Sequence, residues 1–168
     1  KPRQVIDTIK HLLAYRSNLV ESLKRIKQAQ KEQEYFKWAK VKKTKSYDSG
    51  MKGLEKDIQQ IEEDIWELIK KDKALLTMFT LLISIPAIGK ITACHFICYT
   101  NEFKRVKSGK HLASYCGVVP FEQQSGPVKK PARVSKQANK VLKRLLHLCA
   151  VTAIRMKGEF TQYYQRKI

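Results

Sequence analysis

Ser125 sits beside Gly126 in the stretch Gln123-Gln124-Ser125-Gly126-Pro127-Val128-Lys129-Lys130-Pro131-Ala132-Arg133-Val134-Ser135-Lys136. A serine hydroxyl is a poor nucleophile at neutral pH and attacks phosphorus only with help. Lys129, Lys130, Arg133 and Lys136, gathered around a phosphate, would supply part of that help by stabilising charge on the phosphoryl oxygens. The same residues also read as a Ser-Gly turn whose basic neighbours do no more than hold a nucleic-acid backbone. Both readings concern phosphate, and the residues alone leave them open.

A second phosphate-binding pattern lies upstream, at Ile85-Pro86-Ala87-Ile88-Gly89-Lys90. In a helix-hairpin-helix, the loop and the start of the second helix aim successive N–H groups at one phosphate. Ile88, Gly89 and Lys90 would provide that contact, with Ala87 in place of the first glycine of the pattern. The bland alternative is a helix break at Pro86. A contact of this kind positions the protein and reads no bases.

The charge supports a polyanionic partner. The chain has 168 residues and a formal net charge of +19. Residues 1–72 hold seventeen Lys/Arg and twelve Asp/Glu, whereas residues 73–168 hold seventeen and three. Between Phe103 and Arg144 there are eleven cations and one acid, Glu122. Such asymmetry predicts an oriented nucleic-acid surface in the second half. The expected backbone contacts are Lys104, Arg105, Lys107, Lys110, Lys129, Lys130, Arg133, Lys136, Lys140 and Arg144, converging on one groove with the Ser125 hydroxyl at its floor.

Other chemistries are poorly supplied. Cys94, Cys98, Cys116 and Cys149 have no paired spacing and sit among apolar residues, which predicts buried, reduced thiols and no zinc. The acids Glu55, Asp57, Glu62, Glu63, Asp64 and Glu67 read as outer faces of a helix. No apolar run is long enough for a transmembrane span, and the start shows no secretory signal. Lys1-Pro2, without Met, looks like the cut end of a longer chain.

The elements that must position these residues are mostly helical. Ile9, Leu12, Arg16, Leu19, Leu23 and Ile26 step by three and four, and so do Met51, Leu54, Ile58, Ile61, Ile65, Leu68, Leu75, Phe79 and Leu82. Arg16 and Asp72 interrupt the two seams. This predicts an antiparallel coiled-coil hairpin over residues 1–74, with a polar tip in 39–50, serving assembly by zipping within one chain or against another copy. Residues 75–168 would form a small, basic helical domain. It would hold the helix-hairpin-helix, a helix over 109–116 capped by Ser108 and ended by Gly117, and a long irregular loop over 118–134 with room for short β pieces. A helix from Lys136 to about Lys157 would be capped by Ser135, with Leu142, Leu145 and Leu148 inward, and a Tyr-rich helix would end the chain. The fold class is therefore mostly α.

Several separated blocks carry a family resemblance. They are Leu81-Leu82-Ile83-Ser84-Ile85-Pro86-Ala87-Ile88-Gly89, then Phe103 with Lys107-Ser108-Gly109-Lys110, then Leu112-Ala113-Ser114-Tyr115-Cys116-Gly117-Val118-Val119-Pro120, then Ser125-Gly126, and finally Arg133-Val134-Ser135-Lys136 with Asn139. Together they resemble the serine-bearing C-terminal domain of insertion-sequence transposases that have an N-terminal RuvC-like DEDD domain, a group that includes the pilin-gene invertases. The resemblance covers about residues 75–165. It implies a DNA recombinase guided by a structured non-coding RNA, with Ser125 as the DNA-attacking nucleophile beside the acids and Mg of the RuvC-like domain. It also implies a homo-oligomer in the bacterial cytoplasm, at the nucleoid. Ala87 and Ala138 depart from the family's usual glycines. The RuvC-like domain is absent from this chain, so no cofactor is expected in it and it should be catalytically inert alone. The rival reading is a non-enzymatic DNA- or RNA-binding module using the same hairpin and basic surface. A third is a structural protein assembled by its coiled coil, with the charge incidental.

Overall fold

The computed structural model describes residues 2–35, 45–104, 106–125, 128–134 and 136–168, with the backbone alone at 33–35, 45–46, 123–125 and 128–130. Helix dominates, as the periodicity requires: seven helices and one two-stranded sheet among the described residues. Contacts divide the chain into two compact units, Lys1–Leu76 and Thr77–Ile168.

The first unit is a pair of long helices, α1 (Gln4–Tyr35) and α2 (Lys45–Lys71). Polar pairs across them set the direction: Arg3 with Asp72 at 2.5 Å, Arg16 with Glu62 at 2.6 Å, Lys27 with Glu55 at 2.8 Å and Gln30 with Asp48 at 3.3 Å. One number falls as the other rises, so the helices run antiparallel. Ile6, Ile9 and Leu13 of α1 are buried, as are Ile61, Ile65 and Ile69 of α2. Each such side chain contributes about 1.5–3 kcal/mol on leaving water. Toward the other end Leu19, Leu23, Ile26, Leu54 and Ile58 are only half-buried.

Two boundaries differ from the sequence reading. Helix α2 begins at Lys45, so 45–50 is helix and not a polar tip. Asp48 lies in its first turn, where a negative charge meets the positive end of the helix dipole. The second seam is not continuous, because the chain breaks at Asp72 and restarts as α3 (Lys73–Ile83). Asp72 Oδ1 accepts from Ala74 N at 3.0 Å and Leu75 N at 3.1 Å. The residue that interrupts the seam is thus the cap of the next helix.

The second unit packs around Phe96, Cys116 and Leu142, with Leu82, Tyr99, Phe103, Leu112, Leu145 and Leu146 against them. These come from α4 (Lys90–Thr100), α5 (Gly109–Tyr115), α6 (Lys140–Ala153), the end of α3 and the turn after α4. Ser108 caps α5 by accepting from His111 N at 3.2 Å. Gly117 ends that helix: its N–H bonds Ser114 O and the Val118 N–H bonds Ala113 O, both at 3.0 Å. This paired pattern needs a left-handed residue, and Gly117 has φ +67°.

The segment read as a long loop with room for short β pieces is a β-hairpin, β1 (Pro120–Ser125) against β2 (Val128–Val134), antiparallel. Its prolines sit where strands tolerate them. Pro120 opens β1. Pro131 falls at an irregularity, since the register moves from Phe121↔Arg133 to Gln123↔Lys130 and β2 gains one residue there. Helix α6 begins at Lys140 and not at Lys136, because Asn139 is the cap, its Oδ1 accepting from Val141 N at 3.1 Å and Leu142 N at 3.0 Å. Ser135 lies outside the described residues. Helix α6 also stops at Ala153, and Leu148, expected inward, is 54% exposed. The last helix is α7 (Glu159–Gln165); from within it, Thr161 Oγ1 donates to the Met156 carbonyl.

Candidate nucleic-acid interface

Two short helices, α3 and α4, are joined by the turn Ile85-Pro86-Ala87-Ile88. Ile88 N donates to Ile85 O at 3.1 Å, and Ala87 has φ +68°. A proline followed by a left-handed residue, closed by that bond, fits a type II turn, whose third position favours glycine. Ala87 adopts the conformation at a cost of about 1 kcal/mol. Gly89 then serves as a cap without a side chain, and the first intrahelical bond is Ala93 N to Gly89 O at 3.0 Å. The N–H groups of Lys90, Ile91 and Thr92 precede that bond and have no partner within the helix. Gly89 and Lys90 are exposed and Ile88 is half-buried.

The second feature is a groove of about 750 Å³, lined by Gly117, Val118, Val134, Lys140, Lys143, Arg144, Leu146, His147 and Ala150. Its lining combines apolar residues with the cations Lys140, Lys143 and Arg144. Lys140, Lys143, Arg144 and His147 fall at steps of three, one and three along α6, which puts them on one helical face. Lys140 and Arg144 were expected here. Lys143 and His147 were not, although the same helical spacing would have found them. Val118 and Val134 belong to the base of the hairpin.

That base is tied down by a polar relay. Asn139 N donates to Tyr115 O at 3.0 Å and Asn139 Nδ2 donates to Tyr115 Oη at 3.3 Å, while Tyr115 Oη donates to Tyr99 O at 2.9 Å. The end of α4, the end of α5 and the start of α6 are thereby fixed to one another. Ala138 packs on Gly117 so closely that a Cβ at 117 would overlap the Ala138 Cβ.

Not all the expected contacts meet. Ser125 pairs with Val128 at the far end of the hairpin, five residues beyond Pro120 and about 17 Å along the strand from the groove. The structure therefore places the serine backbone at the tip and not on the groove floor. Gln124 pairs with Lys129 and Gln123 with Lys130, near that tip, whereas Arg133 pairs with Phe121 near the base. The side chains of Ser125, Lys129 and Lys130, and all of Arg105, lie outside the described residues. Lys136 is exposed in the turn before α6, and Lys107 and Lys110 are exposed at the start of α5. Lys104 binds the buried Glu102 at 2.6 Å, which offsets part of its charge.

Cys94, Cys98 and Cys116 are buried and Cys149 half-buried, all unbridged. Burial pushes the Cys116 thiol up; it does the same to Cys149, against a smaller opposing effect of the Thr92 hydroxyl, so both remain protonated at neutral pH. Among the described residues no three His, Cys, Asp or Glu side chains come together to hold a metal, and no helix is long and apolar enough to cross a membrane.

The chain is 35% identical over 109 residues to the pilin gene-inverting proteins of Moraxella lacunata and Moraxella bovis, which covers 64% of this chain and 34% of each of them. It is 24% identical over 114 residues to a 44.8 kDa protein of insertion element IS116 from Streptomyces clavuligerus, covering 68% of this chain and 28% of that protein. The chain thus spans about a third of the length of the curated relatives it matches. The profile of the transposase IS116/IS110/IS902 family matches residues 79–165, which includes the turn at Ala87, the hairpin and the cationic face of α6. That match takes in more than half of the sequence, and the chain belongs to the transposase IS116/IS110/IS902 family.

Proposed function

We propose that this chain is the C-terminal part of a DNA transposase or site-specific recombinase and that its second unit grips the DNA backbone. The observation that carries this is the groove beside α6, where Lys140, Lys143 and Arg144 line one face together with apolar residues. These three cations neutralise phosphates without reading bases. The turn at Ala87 and the start of α4 act as a helix-hairpin-helix and take a second phosphate. The relatives named for pilin gene inversion support a strand-exchange activity.

Ser125 is the nucleophile in this reading. Its hydroxyl oxygen bonds to phosphorus as a backbone P–O bond breaks, and its proton leaves to a base. That base belongs to the acidic cluster of a RuvC-like DEDD domain elsewhere in the longer protein. A divalent ion such as Mg would be held by those acids. The 168-residue chain alone neither cleaves nor joins DNA. The helical hairpin of the first unit acts as a coiled coil: its half-buried outer seam, Leu19, Leu23, Ile26, Leu54 and Ile58, pairs with another copy, and its polar faces contact a guide RNA. The protein works in the bacterial cytoplasm, at the nucleoid.

One observation favours a second reading. The position of Ser125 at the hairpin tip, away from the α6 groove, suits a binding module with no nucleophile. Ser125→Ala in the full-length protein separates the two. The recombinase reading expects recombination to be lost with DNA affinity unchanged, whereas unchanged recombination would leave only the module.

A further inference from the structure

A smaller cavity, about 310 Å³, opens beside α5 and is lined by Tyr99, Thr100, Asn101, Val106, His111 and Tyr115. It is separate from the α6 groove, which shares none of these residues. Three of its six walls are aromatic rings. The Tyr115 hydroxyl is committed to Tyr99 O at 2.9 Å, and Lys107 N donates to His111 Nδ1 at 3.4 Å. Tyr99 already stacks on His95, with ring centroids 5.8 Å apart, so stacking of a ligand falls to His111 and Tyr115.

Asn101 supplies the polar feature. Its side-chain Oδ1 is buried and has no hydrogen-bond partner among the described residues. A buried acceptor left unpaired is costly, and such an atom in the wall of a cavity is suited to a ligand donor. The backbone holds it there firmly. Asn101, Glu102 and Phe103 are three consecutive left-handed residues, with φ of 50°, 58° and 58°. They are braced by Glu102 N to Ile97 O at 2.8 Å, Phe103 N to Thr100 Oγ1 at 3.0 Å and Lys104 N to Asn101 O at 3.1 Å. Lys107 and Lys110, exposed and next in sequence to the lining residues Val106 and His111, bring positive charge to the site.

Aromatic walls, one buried amide and cations nearby match a nucleotide whose base has left its stack. Among bases, an asparagine amide pairs best with adenine, accepting from the exocyclic amine and donating to N7. Resting on the DNA-binding reading above, we infer that this cavity receives a single unstacked adenine of the bound DNA, stacked on His111 and Tyr115 and hydrogen-bonded to Asn101.

The test uses the 168-residue chain and duplexes that carry one bulged nucleotide, read by fluorescence anisotropy. The bulge is adenine, purine (the same ring without the amine) or an abasic site. Adenine should bind three- to tenfold tighter than purine, as expected for one hydrogen bond. Purine should bind tenfold or more tighter than the abasic site, from stacking. Asn101→Gly keeps the left-handed backbone and should erase only the adenine-over-purine step. His111→Ala should shrink the purine-over-abasic step, with circular dichroism confirming the fold of both variants. Equal affinity for all three bulges, in a chain that still binds paired duplex in a salt-dependent way, would overturn the cavity assignment alone. No salt-dependent duplex binding would overturn the DNA reading and the cavity with it. A gain seen on bulged RNA and not on bulged DNA would overturn the assignment to DNA.

Discussion

Gly117→Ala probes the joint on which the α6 groove is built. Two separate penalties arise. Gly117 has φ +67°, and a non-glycine residue in the left-handed region costs about 1–2 kcal/mol. The new Cβ would also overlap the Ala138 Cβ, and overpacking of that sort costs about 1–3 kcal/mol. Together they predict a loss of about 3 kcal/mol, local to the second unit. Both tryptophans, Trp38 and Trp66, lie in the first 76 residues, so tryptophan fluorescence would miss the effect. Native-state hydrogen exchange of the α6 amides reads it directly, and protection should fall about a hundredfold. Adding Ala138→Gly removes the overlap but not the backbone strain. The double variant should therefore regain about 1–3 kcal/mol relative to the sum of the single changes, as coupled neighbours do. Unchanged α6 protection in Gly117→Ala, or strict additivity in the double variant, would refute the close packing of 117 on 138.

Further expectations concern single residues. Asp72→Ala removes the cap of α3 and should cost the first unit about 1 kcal/mol, read by urea unfolding. The Asp72 carboxyl is held below the ordinary 3.8 chiefly by the Leu75 N–H, with Arg3 adding to the effect. A depressed folded value means that this stabilisation is fully present above the ordinary value and is lost as pH falls through the folded one, so the gap between wild type and Asp72→Asn should close below pH 3.8. Ala87→Gly relieves a left-handed alanine and should raise the stability of the second unit by about 1 kcal/mol, read by exchange of the α4 amides; a loss of stability there would mean that the turn is not strained.

Repetition at helical spacing made most of the fold readable. The steps of three and four in 9–26 and 51–68 report a helix face directly, since burial forces apolar residues to recur each turn. Punctuation was harder. Asp72 looked like a flaw in a seam because its capping role depends on where the next N–H groups point. Ser135 and Asn139 are both good caps on paper, and the Asn139–Tyr115 bonds, which decide between them, join residues far apart in sequence. The prolines of 118–134 argued against helix correctly, but a two-stranded hairpin with a bulge at Pro131 was hidden because edge strands accept proline where inner ones do not.

The candidate site was half legible. Cation density pointed to this segment, and Lys140 and Arg144 line one groove. Whether Ser125 shares it depended on the length of the hairpin, a property of strand register that composition does not encode. The cavity at Asn101 gave no signal, because its walls come from α4, the following turn and α5, and an unpaired amide is visible only once its neighbours are placed.

The account stands or falls on the α6 groove as a phosphate clamp. The direct measurement is duplex affinity against salt concentration for the 168-residue chain and for Lys140→Ala/Lys143→Ala/Arg144→Ala, with unrelated duplex sequences in parallel. Three lost phosphate contacts should flatten the slope of log affinity against log salt by about 2.7, equally for every sequence. An unchanged slope, or a loss confined to one sequence, would contradict it.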